Sequence, residues 1–93
     1  MKTILVSGSS SGIGFAICEE SKKQGHNVIG ISRNINSRAT ELGIRSYSVD
    51  VTNQNQINEL VNNLTSENIT IDILINNAGL LIKDKFRDTT DDT

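Results

Sequence analysis

The sequence predicts an α/β domain: an open, doubly wound parallel sheet with helices on both faces and strand order 3-2-1-4. Three observations predict it. Short continuous apolar runs, such as Ile4-Leu5-Val6, alternate with segments of helical spacing. The connections between them are short, so successive elements are neighbours. A loop rich in glycine and serine follows the first strand and an Asn-Asn-Ala-Gly stretch the fourth, on either side of the point where the strand order reverses. The crevice at that point, at the carboxyl ends of the strands, is where such sheets bind ligands.

The elements follow in order. Thr3 to Val6 reads as a buried strand closed by Ser7-Gly8. A helix over Gly12 to Gln24 is expected to bury Ile13, Ala16 and Ile17 on one face. Lys22 and Lys23 sit in its last turn, where cations oppose the negative helix end, and Gly25 stops it. Val28 to Ser32 is the second strand. Ser37 to Leu42 forms a short helix that Gly43 ends, and Arg45 to Val49 is the third strand. Asn53 and Gln56 have the N-cap and N3 spacing of a capping box. Ile57, Leu60, Val61 and Leu64 then give the i, i+3, i+4, i+7 stripe of a third helix. Ile71 to Asn76 is the fourth strand, and a polar tail rich in Asp and Thr follows. The first two helices are expected on one face of the sheet and the third on the other.

With 93 residues there is room for one small domain. Lys and Arg total 9 against 11 Asp and Glu, a net charge of -2 that excludes a generally basic nucleic-acid binder. No apolar run is long enough to span a bilayer, and the start is too short in apolar residues for a secretory signal. One cysteine, Cys18, excludes an intrachain disulfide and a cysteine-cluster metal site. These features together set a cytoplasmic expectation. Cys18 is read as a small packing residue, His26 as a solvated turn residue and Tyr47 as a strand residue of the core or sheet surface.

Two loops carry chemistry. Gly8-x-x-x-Gly12-x-Gly14 lies between the first strand and the first helix. Glycines clear side chains from the path of a pyrophosphate, and the helix N-terminus supplies N–H donors and partial positive charge. Ser9, Ser10 and Ser11 add hydroxyls. Asn76-Asn77-Ala78-Gly79 closes the fourth strand, where small residues admit a ligand and Asn side chains can bridge strand ends. Each loop alone is also compatible with an ordinary turn.

Taken together with Asp50-Val51 at the end of the third strand, these loops resemble the short-chain dehydrogenase/reductase family, matched over about Met1 to Ile82. The resemblance implies a Rossmann-type fold and covers the amino-terminal half of a family member. It implies that Gly8, Ser10, Ser11, Gly12, Ile13 and Gly14 form the dinucleotide loop, with the Ile13 N–H on the pyrophosphate. Asp50 would accept from the adenine amino group and the Val51 N–H would bond a ring nitrogen. Asn77, Ala78 and Gly79 would line the adenine ribose, while Asn76 ties the fourth strand into the sheet.

Cofactor choice rests on the end of the second strand. NAD-preferring sites place a carboxylate there for the ribose 2′-hydroxyl. This sequence has Ser32-Arg33-Asn34. Arg33 can pair with a 2′-phosphate and Ser32 can donate a hydrogen bond, so NADP(H) is favoured over NAD(H).

The family protonates or deprotonates its substrate with a tyrosine and a lysine four residues later. No Tyr-x-x-x-Lys occurs here: the one tyrosine, Tyr47, is followed at that distance by Val51. No catalytic residue is assigned, and no metal site. The expectation is therefore a truncated, inactive, NADP(H)-binding portion of an oxidoreductase acting on a carbonyl/alcohol pair. The alternative is a naturally short, non-catalytic nucleotide-binding or interaction module. The fourth strand, apolar on both faces, would be an exposed edge open to self-association.

Overall fold

The computed structural model describes residues 1–10 and 12–77. Seven elements alternate: β1 (Thr3–Ser7), α1 (Gly12–Lys23), β2 (Asn27–Ser32), α2 (Ser37–Glu41), β3 (Arg45–Ser48), α3 (Gln54–Ser66) and β4 (Ile73–Asn76). The strands form one parallel sheet in the order β3-β2-β1-β4. This is the predicted doubly wound, Rossmann-type topology, with the order reversing between β1 and β4. Element ends move by one or two residues from the sequence expectation. Val49 lies beyond β3 but still donates its N–H to the Ser32 carbonyl at 2.8 Å.

The period-two alternation of strand side chains divides the core into two layers. Leu5, Ile29, Ile31 and Val49 meet Ile57, Leu60 and Leu64 of α3 on one face. Ile4, Val6 and Val28 meet Phe15 and Cys18 of α1, with Ala39 of α2, on the other. Helices α1 and α2 therefore share a face and α3 covers the opposite one, as expected. The α3 stripe buries Ile57, Leu60 and Leu64, with Val61 half-buried. That helix ends where Asn68 takes a left-handed backbone (φ 59°) and the Ile69 N–H returns to the Leu64 carbonyl at 2.9 Å.

Helix α1 corrects part of its predicted face. Ile17 packs against the core as expected, and Gly14, Phe15 and Cys18 are buried, whereas Ala16 is exposed and Ile13 is 72% exposed. Gly14, beside Phe15, lies so close to the preceding loop that a Cβ there would strike the Gly8 carbonyl. Arg38 of α2 covers Phe15, with its guanidinium carbon 5.5 Å from the ring centroid, and pairs with Glu19 at 3.3 Å. His26 is also corrected. It is half-buried, and its Nδ1 accepts the Lys2 N–H at 3.1 Å. Tyr47 packs partly against the α3-side core, as read.

Strand β4 pairs with β1 alone among the described residues. Leu74 and Ile75 pack against opposite core layers, and Ile73 is 41% exposed. No helix among the described residues is long and apolar enough to cross a membrane, and no cluster of metal-ligating side chains occurs among them.

Candidate functional site

The carboxyl ends of β1, β2 and β3 open into one cleft of about 320 Å³. Gly8 and Ser10 enter it from the loop after β1, Ser32, Arg33 and Asn34 from the end of β2, and Asp50, Val51 and Thr52 from the segment after β3. The glycine loop, Ser32-Arg33-Asn34 and Asp50-Val51 thus converge at the carboxyl ends of the strands, while Asn76 and Asn77 do not line this cleft.

The loop after β1 is held from four sides. Ser9 is buried, its N–H bonds the Ile31 carbonyl at 3.2 Å, and its side chain occupies the space over Gly30. A Cβ on Gly30 would lie 2.5 Å from the Ser9 Oγ, so this strand glycine is what lets the loop lie flat on β2. The Asn36 Nδ2 donates to the Ser10 carbonyl at 2.8 Å while its Oδ1 caps α2 through the Arg38 N–H at 2.9 Å. The Asn77 Nδ2 donates to the Gly8 carbonyl at 3.2 Å. Gly14 packs so closely that a Cβ there would collide with that same carbonyl oxygen and lie 2.8 Å from the Asn77 Nδ2.

Gly12 behaves differently. Its φ is +59°, and a Cβ placed on it would meet nothing within 4 Å. Here the glycine serves the backbone turn and places no Cβ at the entrance of α1. Ile13 lies in the first helical turn, whose N–H groups have no intrahelical acceptor. An open helix N-terminus behind glycines suits the pyrophosphate of a dinucleotide.

The segment after β3 is arranged around Asp50. Its Oδ1 accepts both the Thr52 N–H (2.9 Å) and the Thr52 hydroxyl (2.6 Å). The Asn53 N–H bonds its carbonyl at 2.9 Å, and its own N–H donates to the Gln56 Oε1 at 2.7 Å. The Thr52 hydroxyl and amide, with a smaller contribution from Arg33, hold the Asp50 carboxyl below the usual carboxylate range. It is therefore an ionised acceptor at neutral pH. The expected capping box is half present: Asn53 accepts the Gln56 N–H at 3.2 Å, but the Gln56 side chain turns to Asp50 instead of returning to Asn53.

Arg33 stands at the rim, its side chain 72% exposed and its Nε 3.8 Å from the Asp50 Oδ1. Ser48 holds the turn beneath it, donating to the Arg33 carbonyl at 2.8 Å. The Ser32 hydroxyl donates to the Asn34 carbonyl. The proton expected for a ligand is therefore used inside the turn. Asn76 meets its expectation: its Oδ1 accepts the Ser7 hydroxyl at 3.0 Å and joins β4 to β1. Ser11, Ala78 and Gly79 lie outside the described residues.

Gly30, Asn36, Ser48 and Gln56 were missed in the sequence. Their partners lie on other elements, except that the Asn-to-Gln spacing did mark Gln56 as a side chain with a backbone partner.

The family profile described as short chain dehydrogenase matches residues 2–93. The chain belongs to the short-chain dehydrogenase family. It is 39% identical over 77 residues to the 3-ketodihydrosphingosine reductase of Bacteroides thetaiotaomicron, covering 83% of this chain and 28% of the relative. Identity to the NADP-dependent 3-hydroxy acid dehydrogenase YdfG of Escherichia coli is 38% over 84 residues, covering 85% of this chain and 34% of that protein. Among solved structures, 4-hydroxyisoleucine dehydrogenase complexed with NADH superposes with a TM-score of 0.77 at 30% identity, over 86% of this chain and 35% of that one. The L-sorbose reductase of Gluconobacter frateurii, complexed with NADPH and L-sorbose, superposes at 0.68 with 33% identity, over 85% and 34%. This short-chain dehydrogenase sequence thus spans about a third of the length of those relatives.

Proposed function

We propose that this chain holds the adenosine half of NADP(H) as the amino-terminal part of an oxidoreductase that interconverts a carbonyl and an alcohol. The observation that carries the reading is the meeting in one cleft of a glycine loop, an ionised Asp50 and an unburied Arg33, with no carboxylate at the end of β2. The N-terminus of α1 accepts the pyrophosphate through its free N–H groups. Asp50 accepts from the adenine amino group, and the Val51 N–H meets the ring. Arg33 supplies the cation for a 2′-phosphate. Relatives of both cofactor types are similar to this chain, so the preference for NADP(H) rests on Arg33.

The nicotinamide supplies or accepts the hydride when the cofactor is bound. The residues here bind and orient it. A proton donor for the carbonyl oxygen is a separate requirement, and no Tyr-x-x-x-Lys occurs in these 93 residues. The chain alone is therefore inactive in this reading. Titrating NADPH and NADH into the protein tests it, with binding read by isothermal titration calorimetry. NADPH is expected to bind more tightly. No binding of either cofactor at saturating concentration would refute the assignment.

A further inference from the structure

We infer that Gln56, on α3, is a positioning residue that aims the Asp50 carboxylate at the adenine amino group. The inference rests on the adenosine reading above and adds a residue to it. Capping geometry at an N3 position returns the side chain to the N-cap N–H. Here the N-cap residue Asn53 instead sends its N–H to the Asp50 carbonyl at 2.9 Å, and Gln56 takes the Asp50 N–H at 2.7 Å. Strand β3 has ended at Ser48, and the last ladder-like bond is the Val49 N–H to the Ser32 carbonyl. Among the described residues the Asp50 backbone is thus held from the start of α3, by the N-cap Asn53 on its carbonyl and Gln56 on its amide.

The consequence reaches the carboxylate. Thr52 occupies Oδ1 twice, at 2.9 and 2.6 Å, so Oδ2 is the oxygen with lone pairs to offer. Its direction follows from the Thr52 grip on Oδ1 together with the Asp50 Cα–Cβ vector, which the two backbone bonds help to set. Without the Gln56 acceptor, the Asp50 N–H must find water or rotate. Either change lets the carboxylate swing about a donor that requires good alignment.

The cofactor pair that reads this contact is NADPH and its hypoxanthine analogue, which has a ring carbonyl where adenine has the amino group. Gln56→Met keeps the volume and removes the acceptor, Gln56→Ala removes it with a shorter side chain, and Gln56→Glu restores it. The methionine and alanine variants are expected to bind NADPH about 3- to 10-fold more weakly, the usual worth of one hydrogen bond. Their affinity for the analogue should change less than about twofold on the same hydrogen-bond scale, while the glutamate variant, which keeps the acceptor but adds a negative charge beside Asp50, serves the exchange measurement alone. Equal weakening for both cofactors would mean a merely structural role and overturn the inference, as would no change for either. Amide exchange at Asp50 in the cofactor-free protein reads the contact by itself: faster exchange in Gln56→Met and Gln56→Ala, and parental exchange in Gln56→Glu, are expected. Unchanged exchange in all three overturns the Gln56 contact while leaving the adenosine reading intact. A parent protein that binds neither cofactor overturns both.

Discussion

The Asn77 side-chain amide donates to the Gly8 carbonyl at 3.2 Å, joining the end of β4 to the glycine loop 69 residues earlier. The two loops are therefore one structure. One stretch closes β1, the other closes β4, and the sheet order brings both to the point of reversal. The Ser7 hydroxyl bond to Asn76 repeats the link one residue back, in fully buried surroundings on the Ser7 side. The Gly8 carbonyl thus takes the Asn77 amide from β4 and lies hard against Gly14 in the first turn of α1.

Gly14→Ala tests that joint. Its Cβ would collide with a backbone carbonyl, which cannot swing aside as a side chain would. Overpacking of this kind costs about 1–3 kcal/mol. The urea midpoint is expected to fall accordingly with an unchanged slope, and cofactor binding to weaken with it as the loop shifts. A midpoint within error of the parent would show that α1 can move off the loop without loss.

Arg33→Glu tests the cofactor preference. The side chain is exposed and its pairing with Asp50 is long, so the fold should be indifferent, with a stability change within about 1 kcal/mol. The contact to a 2′-phosphate is a charge-assisted bond worth about 1.5–3 kcal/mol, so NADPH affinity should fall about 10- to 100-fold. NADH lacks that phosphate and should change far less. Equal losses for both cofactors would remove the 2′-phosphate role from Arg33.

The architecture was legible because it depends on local quantities. Strand and helix periods, glycine stops and short connections suffice for β-α alternation, and a parallel sheet with this order follows from handedness and connection length. The buried face of α1 was only partly legible. Of Ile13, Ala16 and Ile17, the apolar choice by spacing, Ile17 packs on the core, but the close approach of Gly14 to a carbonyl six residues earlier, beside the buried Phe15, is encoded by no hydropathy pattern. The glycine loop and Asp50 were visible as residue types. Their supports were not, since Gly30 serves Ser9, Asn36 serves Ser10 and Ser48 serves Arg33 across separate elements.

Thr52→Val tests the charge on Asp50 through pH. The hydroxyl bond stabilises the carboxylate, so the folded-state pKa lies below the ordinary value of 3.8. A depressed carboxyl contributes stability that is present above the unfolded pKa and is lost as pH falls through the folded one. The parent should therefore be more stable than Thr52→Val at neutral pH, and the difference should shrink below about pH 4, where unfolded carboxyls protonate. An NMR titration should show the Asp50 pKa moving up toward 3.8 in the variant. A stability difference that is the same at pH 2.5 and pH 7 would trace the Thr52 effect to packing instead of to the ionised carboxylate.

Cys18 supplies a probe of the α1-side core. It is fully buried, and burial pushes its thiol up to about 11. A thiol in that state is a poor nucleophile at pH 8, both because little thiolate forms and because reagent cannot reach it. Iodoacetamide should leave the folded protein unmodified on a timescale that fully alkylates it in urea. The residual rate should rise in Gly14→Ala, because that substitution loosens the helix carrying Cys18 and raises the population of opened molecules. Modification of the folded parent as fast as in urea would mean that α1 does not stay packed on the sheet, and the shape of the loop that it helps to hold would have to be re-examined.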